Sequence, residues 1–151
     1  MELPFGGTVS SDSFETGSRA AAVGGTTTII DFAIQFRGKS FRQTLDDWHA
    51  KAAGNCAIDY SYHLAITEFD QARRDEFAKV LDEGVTTFKI FLAYPGVFMV
   101  DDQTMFRIMR AAGVAVMWAA LAAGLLTTEP LETFLDTGGR TCGARDPSIL
   151  R

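Results

Sequence analysis

One lysine interrupts an apolar segment in the stretch TTFKIFLAYPG, residues 86–96. Lys89 stands between Phe88 and Ile90, a pattern typical of a strand that is covered on both faces. If one face of the strand is wet, Lys89 is an ordinary surface residue. If both faces are covered, the buried ammonium tends to lose its proton and become a nucleophile. The neutral amine could then form a Schiff base with a carbonyl compound, or add carbon dioxide to give a carbamate.

Polar and aromatic side chains follow Lys89 at the carboxyl end of the predicted strand, the edge at which α/β folds bind ligands. The hydroxyl of Tyr94 could stabilise a developing oxyanion, or it could simply reach solvent from a loop. Phe91 and Phe98 could form the walls of a pocket, although aromatic residues at this spacing are common in cores. We interpret His63, within another predicted strand, as a hydrogen-bonded core residue.

The elements that must position these residues alternate between helical and strand patterns, with glycine at most boundaries. Helices are predicted in residues 10–25, with a capping box of Asp12 and Glu15, and in residues 40–55, 70–84 and 101–113, the last ending at Gly113. Strands are predicted at 26–34, which we interpret as buried on both faces, and at 56–67 and 86–94. The run VAVMWAALAA, residues 114–123, fits either a strand or a helix.

Such alternation implies an α/β fold class, with parallel strands joined by right-handed crossovers. A doubly wound sheet and part of a (β/α)8 TIM-type barrel both fit this pattern. The periodicity fails later in the chain, where Gly, Thr, Pro and Arg are scattered. We therefore predict one barrel-like domain in residues 1–123 and an irregular C-terminal tail in residues 124–151.

Composition excludes several classes of partner. The 151 residues are 47% hydrophobic and 22% charged, with a net charge of −5, which is typical of a soluble globular protein. The acidic balance argues against nucleic acid or an anionic membrane as a partner. We find neither a membrane-spanning run nor a signal peptide, and expect a cytoplasmic location. Cys56 and Cys142 have no metal-binding spacing and are expected to be reduced thiols.

Three long strings resemble the dihydropyrimidinase and D-hydantoinase family of cyclic amidohydrolases: ELPFGGTVSSDSFETGSRAAAVGGTTTIIDFA, WHAKAAGNCAIDYSYHLAIT and DEGVTTFKIFLAYPGVFMVDD. They stand in the family's order and at its spacing, and the resemblance covers roughly residues 2–117. The resemblance implies a metal-dependent (β/α)8 barrel that hydrolyses cyclic diamides to N-carbamoyl amino acids. It also implies a small cyclic amide as substrate and a homo-oligomeric assembly.

The same resemblance implies roles for individual residues. The lysine of the family string F-K-x-F-x-A-Y-P-G, Lys89 here, would be carboxylated and would bridge two divalent metal ions, with zinc as the expected metal. The tyrosine of this string, Tyr94, would donate a hydrogen bond to the substrate's carbonyl oxygen as it becomes an oxyanion. The metals would supply the nucleophile and stabilise charge. Two pocket loops would surround the substrate with Phe91, Phe98, Leu3 and Phe5.

The chain departs from the family at the other metal ligands. The family's H-x-H motif comes directly before the string with which this chain begins, and WAALA stands in place of its H-A-E-N motif, with Ala119 near the position of the histidine. We expect an internal fragment that leaves the family's sequence near residue 118 and contributes Lys89 alone to the binuclear site. By itself the chain is expected to bind no metal and to be inactive. Binding of two zinc ions and opening of dihydrouracil or a hydantoin by the purified chain would contradict this.

Two alternatives belong to other functional classes. The chain could be a non-catalytic binding or scaffold protein, as some animal relatives of the family are. Those relatives usually lose the lysine, whereas Lys89 and Tyr94 are both present here. The chain could also be an unrelated α/β enzyme that uses Lys89 as a Schiff base, which borohydride trapping with a carbonyl substrate would detect.

Overall fold

Strands and helices alternate along residues 1–122, which the computed structural model describes, with side chains for residues 1–4 and 6–116. A hairpin of β1 (Pro4–Phe5) and β2 (Thr8–Val9) comes first. The remaining elements are α1 (Phe14–Val23), β3 (Thr28–Ile34), α2 (Phe41–Ala52), β4 (Asp59–Ile66), α3 (Gln71–Asp82), β5 (Thr87–Ile90) and α4 (Asp102–Ala122). The predicted tail, residues 124–151, and Cys142 lie outside the described residues.

The three longer strands form one parallel sheet in the order β3-β4-β5. In this register Ile34 lies beside Ala65, and Ala65 lies beside Lys89. Each strand is joined to the next by a helix, as a parallel connection requires. The predicted α/β class, with parallel strands alternating with helices, is therefore confirmed for the described part of the chain.

Three helices cover the same face of this sheet. Each contacts a strand residue on that face, and the contacts are Phe14 of α1 with Tyr60 (ring centroids 6.1 Å apart), Trp48 of α2 with Asp31 (Nε1 to Oδ2, 3.2 Å) and Phe77 of α3 with Phe88 (4.8 Å). The strand register places these three residues on one side, because side chains alternate along each strand. The core lies between this face and the helices, and its largest buried side chains include Trp48, Tyr62, Phe14, Phe41 and Phe77.

Within residues 1–116 the opposite face of the sheet is open at Ile30 and Phe32, whereas Ile34 and Ala65 on the same face are buried. Ile30 is 52% exposed and Phe32 is 42% exposed, although both are large apolar residues in the middle of β3. The prediction that this strand is buried on both faces is therefore wrong for the described residues. Apolar side chains on both sides of β3 reproduce the pattern of a doubly covered strand, but α1, α2 and α3 all pack on the same side.

Local hydrogen bonds set the helix boundaries. Helix α2 begins after Ser40 as predicted, and Ser40 forms a capping box with Gln43. The cap of α1 is instead Ser13 with Thr16, one residue after the predicted pair, because the Ser13 hydroxyl accepts the Thr16 N–H at 3.2 Å. Helix α4 does not end at Gly113. It continues to Ala122, since the alanine-rich residues around this glycine favour a helix strongly enough to offset its cost of about 1 kcal/mol.

The chain divides into two units, Met1–Val116 and Met117–Arg151. All the strands and helices α1 to α3 belong to the first unit. Among the described residues, no helix combines the length and apolar character needed to cross a membrane.

Candidate active site at the carboxyl ends of the strands

Lys89 extends from β5 onto the open face of the sheet. Its Nζ lies 5.2 Å from the centroid of the Phe91 ring and 5.6 Å from that of the Phe32 ring, so aromatic faces contact the amine from two sides. The side chain is half-buried. Within residues 1–116 we find no carboxylate or other hydrogen-bonding group against the amine. The amine is thus held by aromatic rings and remains accessible from the open face.

His63 lies on the same face, one strand away from Lys89. Its Nδ1 shares a hydrogen bond of 2.5 Å with the Thr87 hydroxyl, and its ring centroid lies 5.3 Å from that of Phe32. We interpreted His63 as a hydrogen-bonded core residue, and the hydrogen bond is present. His63 is only half-buried, however, so it is not a core residue within the described part of the chain. The part of the chain that the structure describes contains no group of three or more His, Cys, Asp or Glu side chains able to hold a metal ion. These residues therefore do not form a complete metal centre.

The loop after β5 is a tight turn around the carbonyl oxygen of Tyr94. This oxygen accepts the backbone N–H groups of Val97 (3.1 Å), Phe98 (3.1 Å) and Met99 (3.2 Å). Tyr94 itself has a φ of 66°, a left-handed conformation that is uncommon for residues other than glycine. Such strain persists only where neighbouring contacts hold it, and it is common at functional sites.

This turn brings three predicted site residues together. The ring centroids are 5.2 Å apart for Phe91 and Phe98, 6.2 Å for Phe91 and Tyr94, and 6.2 Å for Tyr94 and Phe98. Phe98 is buried, whereas Tyr94 is 48% exposed. Because the Phe91 ring also contacts the Lys89 amine, the four residues form one continuous cluster at the carboxyl end of β5.

Phe98 also lines a cleft of about 570 Å³ between this turn and the N-terminal hairpin. The hairpin contributes Pro4 and Thr8, and a third wall comes from residues 35–37, which directly follow β3. Leu3 is half-buried against the core, and its N–H donates to the Ser10 hydroxyl at 2.9 Å. Leu3, Lys89 and Tyr94 do not line the cleft. Of the four-residue cluster at the end of β5, Phe98 is the member that also lines the cleft.

Two residues of this edge were not predicted from the sequence. Gln35 is fully buried, and its Oε1 accepts the backbone N–H groups of Thr67 (3.0 Å) and Glu68 (3.1 Å). Its neighbour Arg37 lines the cleft. The available signal was a pair of polar residues in QFRG, directly after an apolar strand and therefore at the carboxyl edge of the sheet.

Acidic residues at two helix starts remain ionised near this edge. The backbone N–H of Arg73 lowers the pKa of Asp70, which caps α3. The backbone N–H of Thr104 likewise lowers the pKa of Asp101, which precedes α4. Both carboxylates thus act as helix caps. Asp31 lies on the other side of the sheet, where it accepts a hydrogen bond from the Trp48 indole.

The parallel α/β sheet thus carries a lysine, a tyrosine and a cleft at the carboxyl ends of its strands, the edge at which α/β folds bind ligands. Comparison with known proteins gives the family. The chain is 58% identical over 112 residues to a D-hydantoinase of Streptomyces coelicolor, and 48% identical over 113 residues to a D-hydantoinase of Geobacillus stearothermophilus. Each match covers 74% of this chain and 24% of the relative. The chain belongs to the D-hydantoinase and dihydropyrimidinase family.

Solved structures agree with this assignment. The crystal structure of dihydropyrimidinase from Brevibacillus agri NCHU1002 matches 74% of this chain with a TM-score of 0.72 and 43% sequence identity, and 24% of its own chain is covered. No family model matches the chain. The chain therefore spans about a quarter of the length of the relatives that it matches.

Proposed function

We propose that this chain is part of a cyclic-amide hydrolase, in which residues 1–122 contribute a segment of a (β/α)8 barrel. The consecutive strand order and the packing of α1, α2 and α3 on one face support a barrel. A doubly wound sheet reverses its strand order and carries helices on both faces. In the proposed enzyme the open face of the sheet, with Phe32 and Lys89, faces the barrel interior.

Lys89 is proposed to be the metal ligand that this segment supplies. Addition of carbon dioxide to the neutral amine would form an N–C bond, release one proton and leave two carboxylate-like oxygens. The accessibility of the amine from the open face, without a competing carboxylate in residues 1–116, supports this role. The other ligands would come from outside the described residues, because these hold no further ligand cluster. Two divalent ions, with zinc expected, would supply the nucleophile and stabilise negative charge.

Tyr94 is proposed to stabilise the oxyanion. Its half-exposed ring is fixed by the left-handed turn and by contacts with Phe91 and Phe98, which limits the positions of its hydroxyl. A hydrogen bond that strengthens as the carbonyl oxygen gains charge lowers the barrier rather than tightening substrate binding. Around the ring substituent we propose walls from Phe91, Phe98, Leu3 and Phe5.

One observation carries this proposal above the others. The amine of Lys89 lies against the Phe91 ring, and the same short loop carries Tyr94 and Phe98. The proposed metal ligand and the proposed oxyanion donor are thus connected at the carboxyl edge of a parallel sheet, where α/β enzymes carry out their chemistry.

The proposal is tested by grafting this segment into a relative. The 112 aligned residues replace their counterparts in the Streptomyces coelicolor D-hydantoinase, to which they are 58% identical. We expect the graft to bind zinc and to hydrolyse hydantoin. Lys89→Ala should lower the zinc content of the graft and lower kcat/KM by about 100-fold, the upper end of the loss that supporting residues of metal sites cause. Tyr94→Phe should lower kcat by about 100-fold with little change in KM.

A lysine elsewhere in the segment provides the control. Lys79 is exposed on α3, and Lys79→Ala should leave both zinc content and turnover unchanged. A graft that folds with its full complement of zinc after Lys89→Ala would refute the assigned ligand. An inactive graft with intact zinc binding and secondary structure would refute the cyclic-amide hydrolase itself.

A further inference from the structure

The cleft beside the aromatic turn is lined by one positively charged residue, although the protein as a whole is acidic. The chain has a net charge of −5, yet among the described residues that line this cleft the one charged side chain is Arg37. The remaining lining is formed by apolar, glycine and uncharged polar residues of the hairpin, of residues 35–36 and of residues 96–98. Among the described residues no acidic one lines this cleft, whereas the two adjoining depressions that Arg37 also lines contain acidic residues.

The carboxylates in the adjoining depressions are engaged by other groups. Asp70 pairs with Arg73, Asp46 with Arg42 and Asp47 with Lys39. Glu68 accepts the Gly38 N–H at 2.6 Å, and Asp101 accepts the Thr104 N–H at 2.6 Å. Within residues 1–116 we find no ion pair or hydrogen bond of the Arg37 side chain. Its five donors thus remain available to a ligand.

Side-chain hydrogen bonds hold the backbone on both sides of Arg37 in place. Gln35 is fully buried, and its Nε2 donates to the carbonyl oxygen of Lys39 at 2.8 Å, which closes the turn that contains Arg37. The Thr67 hydroxyl, directly after β4, donates to the carbonyl oxygen of Gln35 at 2.7 Å and holds the start of the turn. From the other side, the Arg73 guanidinium donates to the carbonyl oxygen of Gly38 at 3.2 Å. A fixed backbone reduces the entropy lost when the side chain binds a ligand.

We propose that Arg37 forms a carboxylate-binding subsite, which selects cyclic amides that carry an anionic substituent on the ring. This inference rests on the proposed function for the identity of the ring. The guanidinium is planar and binds a carboxylate through two parallel hydrogen bonds. Arg37 and Phe98 line the same cleft, so the proposed subsite and one of the proposed substituent walls share one cavity. The apolar lining accommodates the methylene groups of the substituent, and Arg37 binds its carboxylate.

The test uses the ¹⁵N-labelled 151-residue chain and two ligands of the same shape. One is hydantoin with a propionate group on C5, and the other is its neutral propionamide counterpart. Amide shifts of Gly7 and Gly96, which line the cleft from the hairpin and from the turn after β5, report binding in NMR titrations. We expect the propionate ligand to bind about tenfold more tightly, as one charge-assisted interaction at an exposed site allows. Arg37→Gln should abolish this preference, and Arg37→Lys should retain part of it.

Arg74, an exposed residue of α3, serves as the matched control, and Arg74→Gln should leave the tenfold preference intact. Equal affinities for the two ligands, or no binding of either, would overturn the subsite. So would equally tight binding of the ring-opened N-carbamoyl product of the neutral ligand, since Arg37 would then recognise any carboxylate. An active graft with unselective binding refutes the subsite alone, whereas selective binding with an inactive graft refutes the hydrolase alone.

Discussion

The Tyr62 hydroxyl is buried without a hydrogen-bond partner in the described part of the chain. Tyr62 is 2% exposed and points from β4 towards the helices, where its ring contacts Tyr60 and His49 at centroid distances of 5.7 and 5.0 Å. A buried hydroxyl without a partner loses its hydrogen bonds to water on folding. We therefore predict that Tyr62→Phe stabilises the chain.

The magnitude follows from the lost hydration. An unsatisfied buried polar group costs about 1 to 3 kcal/mol, and the space left by one oxygen atom offsets part of the gain. Tyr62→Phe should therefore raise the free energy of unfolding by about 1 kcal/mol and the melting temperature by about 4 °C. Tyr60→Phe is the control, because Tyr60 lies on the same strand face but is only half-buried. Its effect should stay within about 0.5 kcal/mol.

Tyr62 also makes the free energy of unfolding depend on pH in the alkaline range. Burial raises the pKa of Tyr62 above its usual value of 10.0, and the neighbouring Tyr60, Asp31 and Cys56 raise it further. Below pH 10 both the folded and the unfolded chain keep the proton, so the effect is absent. Above pH 10 the unfolded chain ionises first, and the folded state loses about 1.4 kcal/mol by pH 11. The Tyr62→Phe variant does not lose this stability. The difference in free energy of unfolding between the variant and the wild type should therefore grow from about 1 kcal/mol at pH 8 to about 2.4 kcal/mol at pH 11.

Urea denaturation of both variants at these two pH values measures the predicted differences. A Tyr62→Phe variant that is less stable than the wild type at pH 8 would show that the hydroxyl is satisfied in solution. An advantage that stays constant up to pH 11 would refute the raised pKa and leave the packing argument intact.

Two further predictions concern the sheet. Gln35→Leu should lower the free energy of unfolding by about 3 kcal/mol, because three buried or part-buried backbone groups lose their hydrogen-bond partner. Gln71→Leu, at an exposed helix start, is the control and should leave the free energy of unfolding unchanged. Urea denaturation measures both. The open face with Ile30 and Phe32 should make the isolated chain self-associate, and Phe32→Lys should reduce the associated fraction in sedimentation velocity. A sharp, monomeric and reversible melt of the wild type would contradict the second prediction.

The element types were predictable because each is set by local pattern. Ser40 and Gln43 form the capping box of α2 through neighbouring hydrogen bonds, and β-branched residues favour β3 where the structure has it. The end of α4 was not predictable by the same means. A glycine stops a helix only when the residues beyond it prefer another structure, and the residues after Gly113 are themselves good helix formers.

The candidate site was predictable only in part. Lys89, Phe91, Tyr94 and Phe98 lie close in sequence, so one strand and its following turn suffice to bring them together. Arg37 reaches the cleft through contacts between segments about thirty residues apart, such as the hydrogen bond from Gly38 to Glu68. Contacts of this kind depend on how distant segments pack together, which a local sequence pattern does not specify.

The open face explains why the apolar residues around Lys89 have the pattern of a strand that is covered on both sides. A strand that is apolar on both sides is costly to expose, so such a pattern persists where something covers the second side. In residues 1–116 Ile30 and Phe32, which lie on the same face as Lys89, remain 52% and 42% exposed. Apolar residues next to an accessible amine are what the proposed barrel requires of a face that would be enclosed around a polar site. On this argument the exposure of Phe32 and the accessibility of Lys89 have one cause, and enclosing the face should reduce both together.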